Sequence, residues 1–338
     1  MKNENSLSHM IASLATFADW LFLQKSCGRM PAINTQGLRL EQAIQFLNSA
    51  DFVPAESQPA RVEFVPGKDD FHFPTPRPGS VAENNVVHGR LYRRQQEWQK
   101  RPTIILLHGG NMMAGRRSSL SFRFGYPLLA RRCNRAGFNA VTLELPHNFQ
   151  RHCRRLEAAN RPDYLWLAEA VAQAIAEIRA LTGWLLEQGC PGIALWGVSM
   201  GGWLAGLTVC RDARLSAVVM TMPTVCSNSF ANHIMRRRPR EAWRAINAAD
   251  EKLDATPFNL TSAHPAIPKD NILLIGGIHD LICPIKPMEE LLELWGHPNL
   301  WRLPHGHISF MSEAGLTGRV IRWLSPRLNK TAVQSQNE

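Results

Sequence analysis

The stretch Gly197-Val198-Ser199-Met200-Gly201 presents one hydroxyl between two glycines, directly after the apolar run "IALW". A serine at the centre of G-x-S-x-G, on a sharp turn from strand to helix, is lifted out of a sheet and can attack a carbonyl carbon. The same spacing also makes a plain glycine bend, so the serine needs partners before it means chemistry. A hydroxyl becomes a nucleophile at neutral pH when a base stands beside it and an acid orients that base. Two histidines, His305 and His307, follow the last apolar run in "LPHGHISF", and Asp280 follows the run before it in "IGGIHDLICP". Ser199, Asp280 and His307, in that chain order and each just after an apolar run, form the candidate catalytic triad. His307 is preferred to His305 because Gly306 before it permits a close approach. Glu144, at the end of an earlier run, is the rival acid.

Charge developing on a carbonyl oxygen needs N–H donors aimed in advance. Met200 at the helix start and Gly110 in "HGGN" are the expected oxyanion donors, with Asn111 as the second choice to Gly110. Arg116 and Arg117, just beyond, suit an anionic head group. The stretch "LPHNFQRHCRR" after Glu144 places His147, Arg151, Arg154 and Arg155 at the expected pocket mouth, so that Asn111, Arg116, Arg117 and His147 make up the substrate-binding set. No metal is expected, since His147 and His152 stand five apart without a supporting ligand cluster. No cofactor is implied.

These residues need a frame to bring them together. From residue 102 onward, short β-rich runs ("TIILLH", "NAVTLEL", "GIALWGV", "LSAVVMTM", "NILLIGG", "NLWRLP") alternate with helical stretches, the longest being "DYLWLAEAVAQAIAEIRALTGWLLEQG". Buried strands alternating with helices imply an α/β fold with a mainly parallel sheet covered on both faces. In such sheets ligands sit beyond the carboxyl ends of the strands, where every candidate above lies. Upstream, "RVEFVP" and "VVHGRLYRR" read as leading antiparallel strands. The Pro-, Arg- and Asn-rich segment at about 223–268 interrupts the alternation and reads as a cap insertion. The expected organisation is an N-terminal helical extension over 1–58, a catalytic domain over 59–328 and a flexible tail over 329–338.

Within the extension, Leu7, Met10, Ile11, Leu14, Phe17 and Leu21 recur at helical spacing and predict an amphipathic helix. It packs on the domain or lies in a membrane interface. Asp19 breaks its apolar run and, with only Lys2 as a basic n-region, makes it a poor signal peptide. No apolar stretch reaches the roughly 18 residues of a membrane span. Seven scattered cysteines, an odd number without C-x-x-C pairing, argue against a disulfide framework and for a reducing, cytoplasmic compartment. The net charge of +10 raises the question of an acidic partner, an anionic membrane surface among them. Nucleic acid is not expected, because no binding module or aromatic platform is present.

Several of these pieces resemble the α/β-hydrolase superfamily over about residues 60–325. Within it, "RRSSL", "LELPHNFQRHCRR", "GVSMGGWLAGL" and "GHISF" followed by Gly315-Leu316 are similar to the family of α/β-hydrolase-domain-containing protein 18. The "HGGN" stretch is more like that of dienelactone-hydrolase-type esterases. The resemblance implies an α/β-hydrolase fold with a Ser199-Asp280-His307 triad acting on an acyl ester, anionic phospholipid included. The expected activity is that of a serine hydrolase cleaving a carboxylic ester or thioester of a small molecule or lipid. An acyltransferase using the same triad, and a silent protein that holds an anionic ligand or membrane, are the alternatives. Oligomeric state leaves no mark in the sequence.

Overall fold

A computed structural model describes residues 2–27, 38–93, 97–110, 125–152, 164–226 and 248–334, and within them the side chains of 11–24, 39–329. Nine strands form one sheet: β1 (Glu63–Phe64), β2 (Asp70–Pro74), β3 (Val86–Tyr92), β4 (Thr103–Leu107), β5 (Asn139–Leu143), β6 (Ile193–Val198), β7 (Ala217–Thr221), β8 (Ile272–Gly277) and β9 (Asn299–Leu303). Their spatial order is β1-β2-β3-β5-β4-β6-β7-β8-β9. The first three strands run antiparallel to their neighbours, β3 pairing with β5, and from β5 to β9 every pair is parallel. β4, β5, β7 and β8 are buried at every residue, which is why they read as continuous apolar runs rather than alternating ones. The hairpin partner β2 has no counterpart among the expected strands. Its five residues alternate but end on a proline, so the signal is short and broken.

The helices described are α1 (Lys2–Cys27), α2 (Leu38–Leu47), α3 (Tyr126–Arg135), α4 (Tyr164–Glu187), α5 (Met200–Val209), α6 (Ile285–Leu294) and α7 (Leu316–Gln334). α3 and α7 bury Tyr126, Ala130, Val320 and Leu324 against one face of the sheet. On the other face α4, α5 and α6 bury Ile175, Leu181, Leu204 and Leu291, with α2 packed outside α4. Because the parallel strands share one direction, the segments leaving β4, β6, β8 and β9 emerge at one edge.

α1 forms over the expected stretch, but the face it buries is not the expected apolar stripe. Ala15 and Asp19, one turn apart, are buried, whereas Leu14, Phe17, Trp20, Leu21 and Phe22 are exposed. Leu7 and Met10 have no described side chains. Of the segment at 223–268, residues 227–247 lie outside the described residues; what is described includes a helical stretch at 248–254 and a 3-10 turn at Leu260–Ser262.

Candidate active site

Ser199 stands between the end of β6 and the first residue of α5, with φ 55° and ψ −119°, a left-handed backbone that a serine adopts only when its surroundings hold it there. Its amide donates to the Thr221 carbonyl at 2.8 Å, tying the turn to β7. The flanking glycines follow from close approach. A Cβ on Gly197 would overlap the Gly201 carbonyl, and one on Gly201 would overlap the Leu107 carbonyl at the end of β4. The turn is therefore packed directly against the strand that feeds the glycine loop.

His307 follows β9 and brings its Nε2 to 3.0 Å from the Ser199 Oγ, while its Nδ1 lies 2.8 Å from the Asp280 Oδ2. The other oxygen of Asp280 accepts the amides of Ile282 at 2.8 Å and Cys283 at 2.7 Å, so both carboxyl oxygens are engaged and the group is fixed in orientation. Burial opposes the charged imidazole of His307, but Cys283 and the Asp280 carboxylate outweigh it and hold the ring well above its ordinary pKa. His305 is turned away to Glu313, at 2.8 Å. Glu144 is engaged by Gln150, which donates to it from its backbone and side-chain nitrogens at 3.1 Å each.

The glycine loop after β4 lies against this turn: a Cβ on Gly109 would stand 3.3 Å from the Ser199 Cβ, and Gly110 has φ +146°, which favours glycine. Two side chains hold it. The Tyr126 hydroxyl donates to the Leu107 carbonyl at 3.0 Å and is itself bonded to the Gly109 backbone. His108, fully buried and pushed down to about 4 by that burial, accepts the Leu145 amide at 3.2 Å and so joins the loop to the segment after β5. The Met200 amide opens α5 and, like every first-turn amide, has no acceptor within its own helix. Gly110 and Met200 thus stand on the two backbone segments that meet at Ser199.

Other expectations are corrected by burial. Arg151 is not at a pocket mouth: it is fully buried and makes a two-pronged ion pair with Glu177 of α4, at 2.6 and 2.7 Å. His147 is also turned inward. Its ring stacks on Trp166 and accepts from the Asn84 Nδ2 at 2.7 Å, and burial lowers its pKa to about 3, so it is a neutral, satisfied group rather than a cation for a substrate. Asn111, Arg116, Arg117, Arg154 and Arg155 lie outside the described residues. Among the described residues, no cluster of three or more His, Cys, Asp and Glu side chains converges as metal ligands. Tyr126 and Asp19 reach the site although the sequence marks neither as a site residue, Asp19 standing there only as a break in an apolar run. Tyr126 carries no local signal, whereas Asp19, a carboxylate inside an apolar helical run, is itself an anomaly.

A family model described as alpha/beta hydrolase domain containing 18 matches residues 70–271. An uncharacterized protein of Mycobacterium tuberculosis is 27% identical over 250 residues, covering 70% of this chain and 58% of the relative, so the match spans less than two thirds of that protein's length. Among solved structures, an esterase from Pyrococcus furiosus superposes with a TM-score of 0.53 at 16% identity, covering 80% of this chain and 98% of its own. An acetyl xylan esterase from Paenibacillus sp. R4 gives 0.53 at 15% identity over 88% of this chain and 97% of its own. At such identities the likeness is one of fold, and the fold it shares is that of the α/β-hydrolases.

Proposed function

Since the chain belongs to the alpha/beta hydrolase domain containing 18 family, we propose that it is a serine hydrolase whose nucleophile is Ser199. The observation that carries this reading is the unbroken hydrogen-bond chain from Ser199 through His307 to Asp280. His307 takes the hydroxyl proton on Nε2 as Oγ attacks the carbonyl carbon, and the Asp280 carboxylate accepts a hydrogen bond from the Nδ1–H and stabilises the imidazolium that forms, without taking the proton. The Gly110 and Met200 amides receive the oxyanion. Collapse of the tetrahedral adduct expels the alcohol or thiol, which takes its proton from His307 and leaves an acyl-Ser199 ester. Water, deprotonated by the same imidazole, releases the acid and restores the serine.

The substrate side points to an apolar acyl ester. Met311, in the segment on which α1 packs, and Ile278, two residues before Asp280, are exposed, as are Phe17 and Trp20 on α1. Large exposed apolar groups on the segments that carry Asp280 and His307, and on the helix docked to them, favour a lipid or other amphiphilic ester over a sugar ester. The test is intact-mass labelling with a fluorophosphonate, beside Ser199→Ala and His307→Ala, followed by a screen of acyl esters and thioesters of graded chain length. One adduct on the native chain, absent from both folded variants, is expected; a native chain that takes up no label overturns the serine mechanism.

A further inference from the structure

Asp19 is 0% exposed, yet among the described residues no lysine or arginine pairs with it. Its partners are three backbone amides from the two loops that carry Asp280 and His307. Oδ2 accepts from the Leu281 amide at 3.0 Å and from the His307 amide at 2.7 Å, and Oδ1 accepts from the Ile308 amide at 2.8 Å. One oxygen therefore bridges the residue after the candidate acid and the candidate base itself. Gly306 makes the approach feasible: a Cβ there would stand 2.6 Å from the Asp19 Oδ2 and 3.0 Å from the Ala15 carbonyl. Burial, joined by the nearby Asp280 charge, raises the carboxyl of Asp19 above its ordinary value, and the three oriented amides offset part of that rise.

Ionised, a carboxylate is the one common side chain with two acceptor oxygens and no donor, so it can serve three N–H groups at once. We propose that Asp19 is a positioning residue of the active site, reaching from α1 to lock the Asp280 and His307 loops in register with Ser199. The inference rests on the serine-hydrolase reading above and deepens it. Under it α1 is a working part of the site rather than an extension: with Asp19 in place the imidazole is aimed at Oγ before substrate arrives, and without it both loops are free to drift. A displacement of about 1 Å in a reacting group costs about 100-fold in rate.

The experiment compares the native chain with Asp19→Asn and Asp19→Ala, reading the second-order rate of fluorophosphonate labelling at Ser199 well below each unfolding midpoint. Asp19→Ala removes all three acceptors and is expected to slow labelling about 100-fold. Asp19→Asn can keep the bridging oxygen but turns an NH2 toward the Ile308 amide, and is expected to fall between the two, about 10-fold below native. With any ester that turns over, kcat falls and KM stays. As a signature that a merely structural role would not move, the low-field imidazole proton shared by His307 Nδ1 and Asp280 is followed by NMR in the folded variants, where it is expected to broaden or shift. Should Asp19→Ala fail to fold, Asp19→Asn decides. Lower thermal stability with native labelling rate and an unmoved imidazole proton overturns the positioning role. A native chain that does not label overturns the reading beneath it, and the proposal falls with it.

Discussion

His307 carries the clearest consequence at the level of single residues. A general base works only when neutral, and this imidazole is held well above its ordinary value by Cys283 and Asp280 against the opposing effect of burial. Labelling and turnover should therefore rise with pH through a midpoint above about 6.5, the ordinary histidine value. Replacing Asp280 with Asn removes the charge that stabilises the imidazolium, so the midpoint should move down. The limiting rate should nevertheless fall by about 10⁴-fold, because the amide fixes the wrong tautomer. A pH–rate profile of both proteins checks the sign and the size together; an unmoved midpoint would detach Asp280 from His307. Ser199 itself has little latitude, since its positive φ is held by the Thr221 carbonyl above and by two glycines that admit no Cβ.

Among the elements, the segment after β5 is the one whose role changes most on folding. Its basic stretch reads as a charged rim, yet Arg151 is inside the molecule, bonded to Glu177 of α4 and to the carbonyls of Glu144 and Asn84 at 2.8 and 2.7 Å. The bonds pin a turn in which His147 and Phe149 both have positive φ, at 62° and 49°. The same turn packs Phe149 edge-on against His108, so Arg151 supports the glycine loop from behind. Arg151→Met strands Glu177 in the core and should cost about 3–5 kcal/mol in urea unfolding, whereas Arg151→Met with Glu177→Leu should recover most of it. Equal losses in the single and double variants would mean that the ion pair is not what holds the turn.

For the molecule as a whole, the outer face of α1 is an exposed apolar surface with the character of a contact site. Leu14 is 62% exposed and Phe17 58%, and no helix among the described residues is long and apolar enough to cross a membrane. For this exposed apolar face, on a chain of net charge +10, we propose anionic lipid as the partner. Burying a leucine or phenylalanine side chain is worth about 1.5–3 kcal/mol each. Leu14→Ser with Phe17→Ser should therefore reduce co-sedimentation with phosphatidylserine-containing vesicles at least about 10-fold. Both positions are exposed, so the unfolding midpoint should hardly move. Binding indifferent to salt and to anionic lipid would remove the charge from the explanation.

What the sequence determined by itself is the local chemistry and its order. The G-x-S-x-G turn, the continuous apolar runs of a parallel sheet and the polar residues that follow them are short-range patterns, and a parallel α/β sheet necessarily gathers the ends of its strands at one edge. Residues Ser199, Asp280 and His307 were within reach of that argument because each lies within four residues of the end of a strand. Only the tertiary structure decided which charges are inside. Arg151 and His147 look solvent-facing until α4 and the turn at Asn84 close over them, and Asp19 looks like a flaw in an amphipathic stripe until α1 docks on loops 262 and 288 residues away. Burial and long-range hydrogen bonds depend on which elements meet, and periodicity along one element carries no information about its partner.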